Sequence, residues 1–251
     1  MVNYQKLDKL KQKLDAFRPL PPEMVSNLHD DLVLRWIYHS NAIEGSGLTL
    51  NETKVVLEGI TVGGKTMREH FETINHREAI YFIEELVQKN EPLSEWQIKS
   101  IHQLILKNID DKNAGVYRKI NVVISGAEHR PPDALCVEGE MQDFIHWYQT
   151  QGLLHHPVER AARVHADFVK IHPFVDGNGR TSRLLMNLEL MKAGFPPVVI
   201  PVERRLEYYE TLDMAHTKNN YAPFFNLIFE LVVLGFEPYW YALGLNKDCV
   251  S

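Results

Sequence analysis

With 251 residues, 45% of them hydrophobic and 24% charged, the chain has an ordinary globular composition and length enough for one large domain. A net charge of -6 supplies no overall basic field for a nucleic acid backbone, so no nucleic acid partner is expected. Cys136 and Cys249 are too few and too far apart for a disulfide framework or a zinc site, and the expectation is a reducing, cytoplasmic setting.

The first seventeen residues spread lysines and aspartates among Leu7, Leu10 and Leu14, which is the period of an amphipathic helix and not the pattern of a signal peptide. The same three-and-four spacing predicts helices over 3–17, 23–44, 50–58, 67–89, 94–108, 136–150, 157–171, 179–193, 203–217 and 222–234. Pro157 in a first turn and Gly194 after a last periodic residue mark two of the ends. One stretch departs from this period: INVVISGAEHRPP combines a β-branched run, a Ser-Gly turn and a proline pair, and is read as a small β-hairpin or flap. The apolar run FFNLIFELVVLGF is short and contains Asn226 and Glu230, so it reads as a buried helix and no membrane contact is expected. The fold class is therefore mainly α: one compact unit, with an amino-terminal helical region over 1–90 and the remainder over 91–251.

GITVGGKT, residues 59–66, fits the spacing of a nucleotide-hydrolase phosphate loop. Such a loop must follow a buried strand, whereas the residues before it open on a Thr49 and Glu52 capping box and read as a short helix ended by Gly59. The motif is set aside as coincidental. His155, His156 and His165 raise a metal-dependent phosphohydrolase, but His165 shares the helical face of His172 and reads as a packed core histidine.

HPFVDGNGRTSR, residues 172–183, carries the chemistry. Gly177 and Gly179 can take backbone angles closed to other residues, and the N–H groups there open a helix, where the dipole favours an anion. Arg180 and Arg183 are neighbours on one side of that helix, and guanidinium forks suit phosphate oxygens. Asp176 would repel a bare phosphate, a conflict that disappears if it holds magnesium. His172, at the mouth of the loop, can accept a proton from an attacking hydroxyl.

This stretch resembles the signature of the Fic family, His-Pro-Phe-x-Asp/Glu-Gly-Asn-Gly/Lys-Arg, at every fixed position. The similarity reaches upstream through NVVISGAEHRPP and HPVERAARVHADFVKIHPF and covers at least residues 40–235. The resemblance implies a helical Fic-type bundle with a flap hairpin, transferring AMP from ATP to a Ser, Thr or Tyr hydroxyl of a target protein. Carried over by position, His172 would be the general base and Asp176 the magnesium ligand. Gly177, Asn178 and Gly179 would form the anion hole, Arg180 would hold the remaining phosphates, and Arg183 would reach the γ-phosphate. The adjoining Thr181 and Ser182 are grouped with these nucleotide residues. Ile124, Ser125, Gly126 and Ala127 would cover the nucleotide and pair with the target's backbone, as an added strand would. Tyr208 and Tyr209 resemble adenine-pocket positions, and His216 stands where close relatives place an asparagine. Phe174 and Val175 read as an apolar plug beneath the loop.

SNAIEG, residues 40–45, resembles the family's inhibitory motif Ser/Thr-x-x-x-Glu-Gly/Asn, in the subclass where it precedes the core. The resemblance implies that Glu44 pairs with Arg183 and keeps it from the γ-phosphate. Two other readings stay open: removal of AMP from a modified protein in the same pocket, with Glu44 aligning a water, and a silent ATP-sensing interaction protein. Homo-oligomerisation is also left open.

Overall fold

The computed structural model describes residues 3–245, and Cys249 lies outside that range. Eleven α-helices follow one another in the described residues: α1 (Tyr4–Asp15), α2 (Pro22–Ile43), α3 (Leu50–Leu57), α4 (Met67–Lys89), α5 (Glu95–Leu106), α6 (Val137–Thr150), α7 (Pro157–Ile171), α8 (Asn178–Lys192), α9 (Arg205–Lys218), α10 (Ala222–Gly235) and α11 (Glu237–Ala242). Ten match the periodicity within a few residues, and α11 is additional. Their starts are chemically explicit. Thr49 with Glu52, Thr66 with Glu69 and Ser94 with Gln97 each form a reciprocal capping box, and Pro22 and Pro157 occupy first turns where no N–H is needed.

The antiparallel pair α7 and α8 stands at the centre and separates two cores. Val164, Phe168 and Ile171 of α7 and Leu184, Leu185 and Leu188 of α8 pack with α2, α4, α5 and α6. Ala162, Ala166 and Val169 of α7 and Met186 and Leu190 of α8 pack with α1, α9, α10 and α11. Leu184, Leu185, Met186, Leu188 and Leu190 are fully buried. At about 1.5–3 kcal/mol each, they offset the several kcal/mol needed to take Arg180 and Arg183, at the same helix's start, out of water. The helix is thereby fixed by its apolar length, and its polar amino end is held where α2 and α4 meet it.

No strand forms among the described residues. The expected hairpin is instead a loop that reverses at a turn closed by Ala127 N–H donating to the Ile124 carbonyl at 3.2 Å. Side chains close its base: Asn121 Nδ2 donates to Asp133 at 3.0 Å, and Asn121 Oδ1 accepts from Ala134 N–H at 2.7 Å. Pro131 and Pro132 on the returning arm have no N–H to donate, so a regular ladder cannot run to the base. The phosphate-loop look-alike at 59–66 joins α3 to α4 with no strand before it, and Lys65 donates to the Gly47 carbonyl at 2.5 Å. By length and composition the run Ala222–Ala242 could cross a membrane, yet Phe224, Leu227, Ile228, Leu231 and Val232 are buried in the second core.

Candidate active site

Residues 172–177 connect the two central helices, and each turns on a specific contact. His172 ends α7 with φ +52°, the left-handed conformation that non-glycine residues adopt at a cost, which places a strained residue at the point of chemistry. Its Nδ1 lies 3.2 Å from the Val169 carbonyl. A carbonyl only accepts, so Nδ1 carries the proton and Nε2 keeps its lone pair. Burial pushes the imidazole down to about 4, so it is neutral near pH 7 and able to take a proton.

Phe174 is fully buried and stacks on His102, with ring centroids 3.5 Å apart and planes 2° from parallel. Gly115 N–H donates to His102 Nδ1 at 2.9 Å, which fixes the tautomer and lets Nε2–H donate to the Asp176 carbonyl at 2.8 Å. Val175, expected to share the plug with Phe174, is 38% exposed and plugs nothing. Asn178 closes the loop from the other side: its Oδ1 accepts from Phe174 N–H at 3.0 Å and its Nδ2 donates to the Phe174 carbonyl at 2.9 Å. Both ends of its amide are thus tied to the Phe174 backbone, which fixes the side chain as a brace across the loop.

Gly177, at φ +75°, caps α8. The first intrahelical bond runs from Thr181 N–H to the Gly177 carbonyl at 3.0 Å, which leaves the N–H groups of Asn178, Gly179 and Arg180 as first-turn donors without a helical acceptor. A Cβ built on Gly179 would collide with Glu44 Oε1 and come within 3.2 Å of Arg183 Nη1. The cradle above that glycine therefore holds a carboxylate already. Glu44, at the carboxyl end of α2, accepts from Arg183 Nη2 at 2.8 Å. Arg183 is 3% exposed and is also held by Ser40, through its hydroxyl and its carbonyl, both at 2.9 Å.

The other charges form a closed set. Arg180 Nη1 lies 3.1 Å from Glu72 Oε1 as an ion pair, but the alignment is too poor for a hydrogen bond, and its buried Nε and Nη1 lack hydrogen-bond partners. Asp176 Oδ1 accepts from Gly177 N–H at 2.6 Å, and Oδ2 accepts from Arg68. Burial raises the Asp176 carboxyl, but the nearby Arg180 and Arg68 outweigh this and leave it below the ordinary carboxylate value. Among the described residues no group of three His, Cys, Asp or Glu side chains gathers for a metal. Magnesium needs few carboxylates when phosphate oxygens complete its shell, and the ionised, 43% exposed Asp176 beside unpaired guanidinium donors fits that requirement.

Several expected residues stand elsewhere. Thr181 and Ser182 turn inward: both are fully buried, and Ser182 Oγ bonds the Gly179 carbonyl at 2.8 Å and His165 Nε2 at 3.1 Å. Tyr208 is also buried, with its hydroxyl 2.9 Å from His165 Nε2 and 3.5 Å from Arg183, so its ring offers no face to a base. Tyr209 is 38% exposed and remains available. His216 bonds the Ala166 carbonyl at 2.9 Å and meets the loop residue His129 edge to face. Val123, Ser125 and Gly126 are exposed on the loop, with Ile124 and Ala127 half-buried. Arg118, which no motif marks, donates to the carbonyls of His172, Ile120 and Pro132 at 2.8, 3.0 and 2.6 Å, which ties the loop to the histidine.

The Fic/DOC family model matches residues 92–190. The protein adenylyltransferase Fic of Nematostella vectensis is 39% identical over 220 residues, covering 86% of this chain and 51% of the relative. The solved structure of Fic-1 (residues 134–508) from C. elegans superposes with a TM-score of 0.85 at 32% identity, over 96% of this chain and 72% of that one. A Fic domain containing signaling protein from Bacteroides thetaiotaomicron gives 0.88 at 28% identity, over 96% and 98%. The chain spans about half or less of the length of the curated relatives it matches.

Proposed function

The chain belongs to the Fic/DOC family, and on that premise we propose that it is a protein adenylyltransferase that moves AMP from ATP to a Ser, Thr or Tyr hydroxyl of a target protein and restrains itself through Glu44. The observation that carries this reading is the convergence, on one loop, of an unprotonated His172 Nε2 and the open N–H groups of α8. The curated relatives are named for the same activity.

In this reading the Asn178, Gly179 and Arg180 N–H groups receive the α-phosphate, and the buried Arg180 and Arg183 hold the phosphates beyond it. The target hydroxyl oxygen attacks the α-phosphorus as its proton passes to His172 Nε2. The bond to the β-phosphate oxygen breaks, and pyrophosphate leaves with that electron pair. Asp176 would hold magnesium, which supplies charge neutralisation across the phosphate oxygens when bound. Arg118 keeps the 120–133 loop and His172 in one register, which supports docking of an extended target segment at the exposed Val123, Ser125 and Gly126.

Glu44 supports the restraint. Its carboxylate lies on the phosphate side of Gly179 and holds Arg183, so it competes with a phosphate for the same donors. That placement also favours a second reading, in which the same carboxylate aligns a water to strip AMP from a modified protein. Incubation of the Glu44→Gly protein with candidate targets and ATP labelled at either the α or the γ position tests the main reading. Label from the α position alone, recovered as AMP on protein, is expected. Transfer of the γ label would replace adenylylation with phosphorylation, and absence of both would remove the transferase reading.

A further inference from the structure

Asp176 is not an open carboxylate. Oδ1 is committed to Gly177 N–H at 2.6 Å, and Oδ2 is held by Arg68, a residue 108 positions earlier that belongs to no motif. Arg68 sits in the first turn of α4 and donates through Nε to Glu72 Oε1 at 3.0 Å. Glu72 in turn pairs with Arg180 Nη1 at 3.1 Å, and Arg180 Nη2 lies 3.7 Å from Asp176 Oδ1. The four charges close into a ring with no net charge.

The two arginines in that ring are not equivalent. Arg180 is 2% exposed and anchored in α8, whereas the Arg68 side chain is 54% exposed and reaches Asp176 from outside the loop. A divalent cation approaching Oδ2 meets an atom that already has a cationic partner, and at contact distance like charges repel strongly unless one of them leaves. Arg68 can leave, because Glu72 still receives its Nε when the tip swings into water. Arg180 cannot do so without stranding a buried charge.

We propose that Arg68 is the resident counter-ion of the metal carboxylate, which magnesium must displace, so that Arg68 sets the magnesium concentration at which the nucleotide seat is completed. This rests on the reading of Asp176 as the magnesium ligand. Arg68 is thus a positioning residue: it touches neither reacting atom and acts through Asp176.

The test is binding of a non-hydrolysable ATP analogue, followed by calorimetry in EDTA and across a magnesium titration, for the parent, Arg68→Gln, Arg68→Lys and Asp176→Asn. A partly exposed ion pair is worth up to about 1 kcal/mol, so Arg68→Gln should lower the midpoint magnesium concentration about two- to fivefold. Binding in EDTA should not strengthen and should weaken modestly, because without Arg68 the bare Asp176 carboxylate repels the phosphates, and Arg68→Lys, which keeps the charge, should stay near the parent. If Asp176→Asn leaves the parent's magnesium midpoint unmoved, the metal reading itself fails. If Asp176→Asn moves it but Arg68→Gln leaves it unchanged or raises it, the assignment of Arg68 alone is overturned. Weaker EDTA binding on Arg68→Gln that persists in full when Asp176→Asn is also present would overturn it too, since Arg68 would then be holding phosphate directly. Circular dichroism of each variant keeps a folding defect from passing as any of these outcomes.

Discussion

Replacing Glu44 by glycine removes one carboxylate from Arg183 and leaves the rest of the site in place. Arg183 keeps the Ser40 hydroxyl and carbonyl, both at 2.9 Å, so the guanidinium stays positioned when its anion is gone. The substitution deletes a 2.8 Å hydrogen bond between charged groups, with Arg183 at 3% and Glu44 at 34% side-chain exposure. Bonds of this kind contribute about 1.5–3 kcal/mol, and the exposed Glu44 end argues for the lower half of that range. If the nucleotide can seat only when the pair is open, this energy converts to a rise in the competent fraction of about ten- to 45-fold. Self-labelling with α-labelled ATP, read as initial rate, should rise by that order. Glu44→Gln separates charge from bulk: it keeps the volume over Gly179 but not the ionic bond, and should fall between parent and glycine variant. Arg183→Ala should not activate, and the Glu44→Gly and Arg183→Ala double variant should be as slow as Arg183→Ala, the non-additivity expected of one shared interaction. A Glu44→Gly rate equal to the parent's would refute the reasoning.

Three further outcomes follow from other contacts. His172→Ala should abolish transfer while calorimetric ATP binding stays within about twofold, because the base acts on the hydroxyl and not on the phosphate seat; retained transfer would take His172 out of the mechanism. Gly179→Ala puts a methyl where Glu44 Oε1 sits beside Arg183, so nucleotide binding should fall at least about tenfold, and Glu44→Gly should not restore it, since the methyl fills the cradle itself. Acid should unfold the protein early. Burial holds His102, His172 and His216 down at about 4, and His76 and His165 well below the ordinary value. Unfolded histidines take protons near 6.5, so below that value the unfolded chain binds more protons than the native one. Stability is then full above about pH 6.5 and falls toward pH 4 by about 1.4 kcal/mol per unit for each such histidine. Urea midpoints at pH 7.5, 6 and 5 measure this, and a flat profile would mean these histidines are not held neutral.

The helices were legible because their burial follows the period of their apolar residues, and their caps are short-range chemistry written in adjacent residues. The same logic could have placed Tyr208: Leu212 and Ala215, four and seven positions on, mark its face as the buried one, and Tyr209 as the open one. Resemblance to a base-binding position competed with that period, and the period won. A hairpin was expected at 120–132 because β-branched residues fit a pleated surface, but pairing at its base also needs a partner that can donate, and the proline pair cannot. Arg68, Arg118 and His102 were illegible for a different reason. Each is a single polar residue whose link to the site runs to a partner 108, 54 or 74 positions away, so no local pattern marks it.

Glu44 shows how such a partner changes the meaning of a residue. At the end of α2 its negative charge faces the negative end of its own helix, which is unfavourable, and in isolation it reads as an exposed glutamate tolerating a small penalty. The fold places that same carboxylate over the amino end of α8, where the dipole is positive, the first-turn N–H groups are open and Arg183 donates. Every feature that stabilises it there would stabilise a phosphate equally, because both are anions seeking the same donors. Restraint and nucleotide binding therefore cannot be tuned independently from the α8 side: weakening Arg183 or the glycine cradle weakens both. Only changes on the α2 side, at Glu44 or in how α2 presents it, can release one and spare the other. In the proposed reading, activation then comes through α2, since a change that disturbed α8 would dismantle the seat it was meant to open.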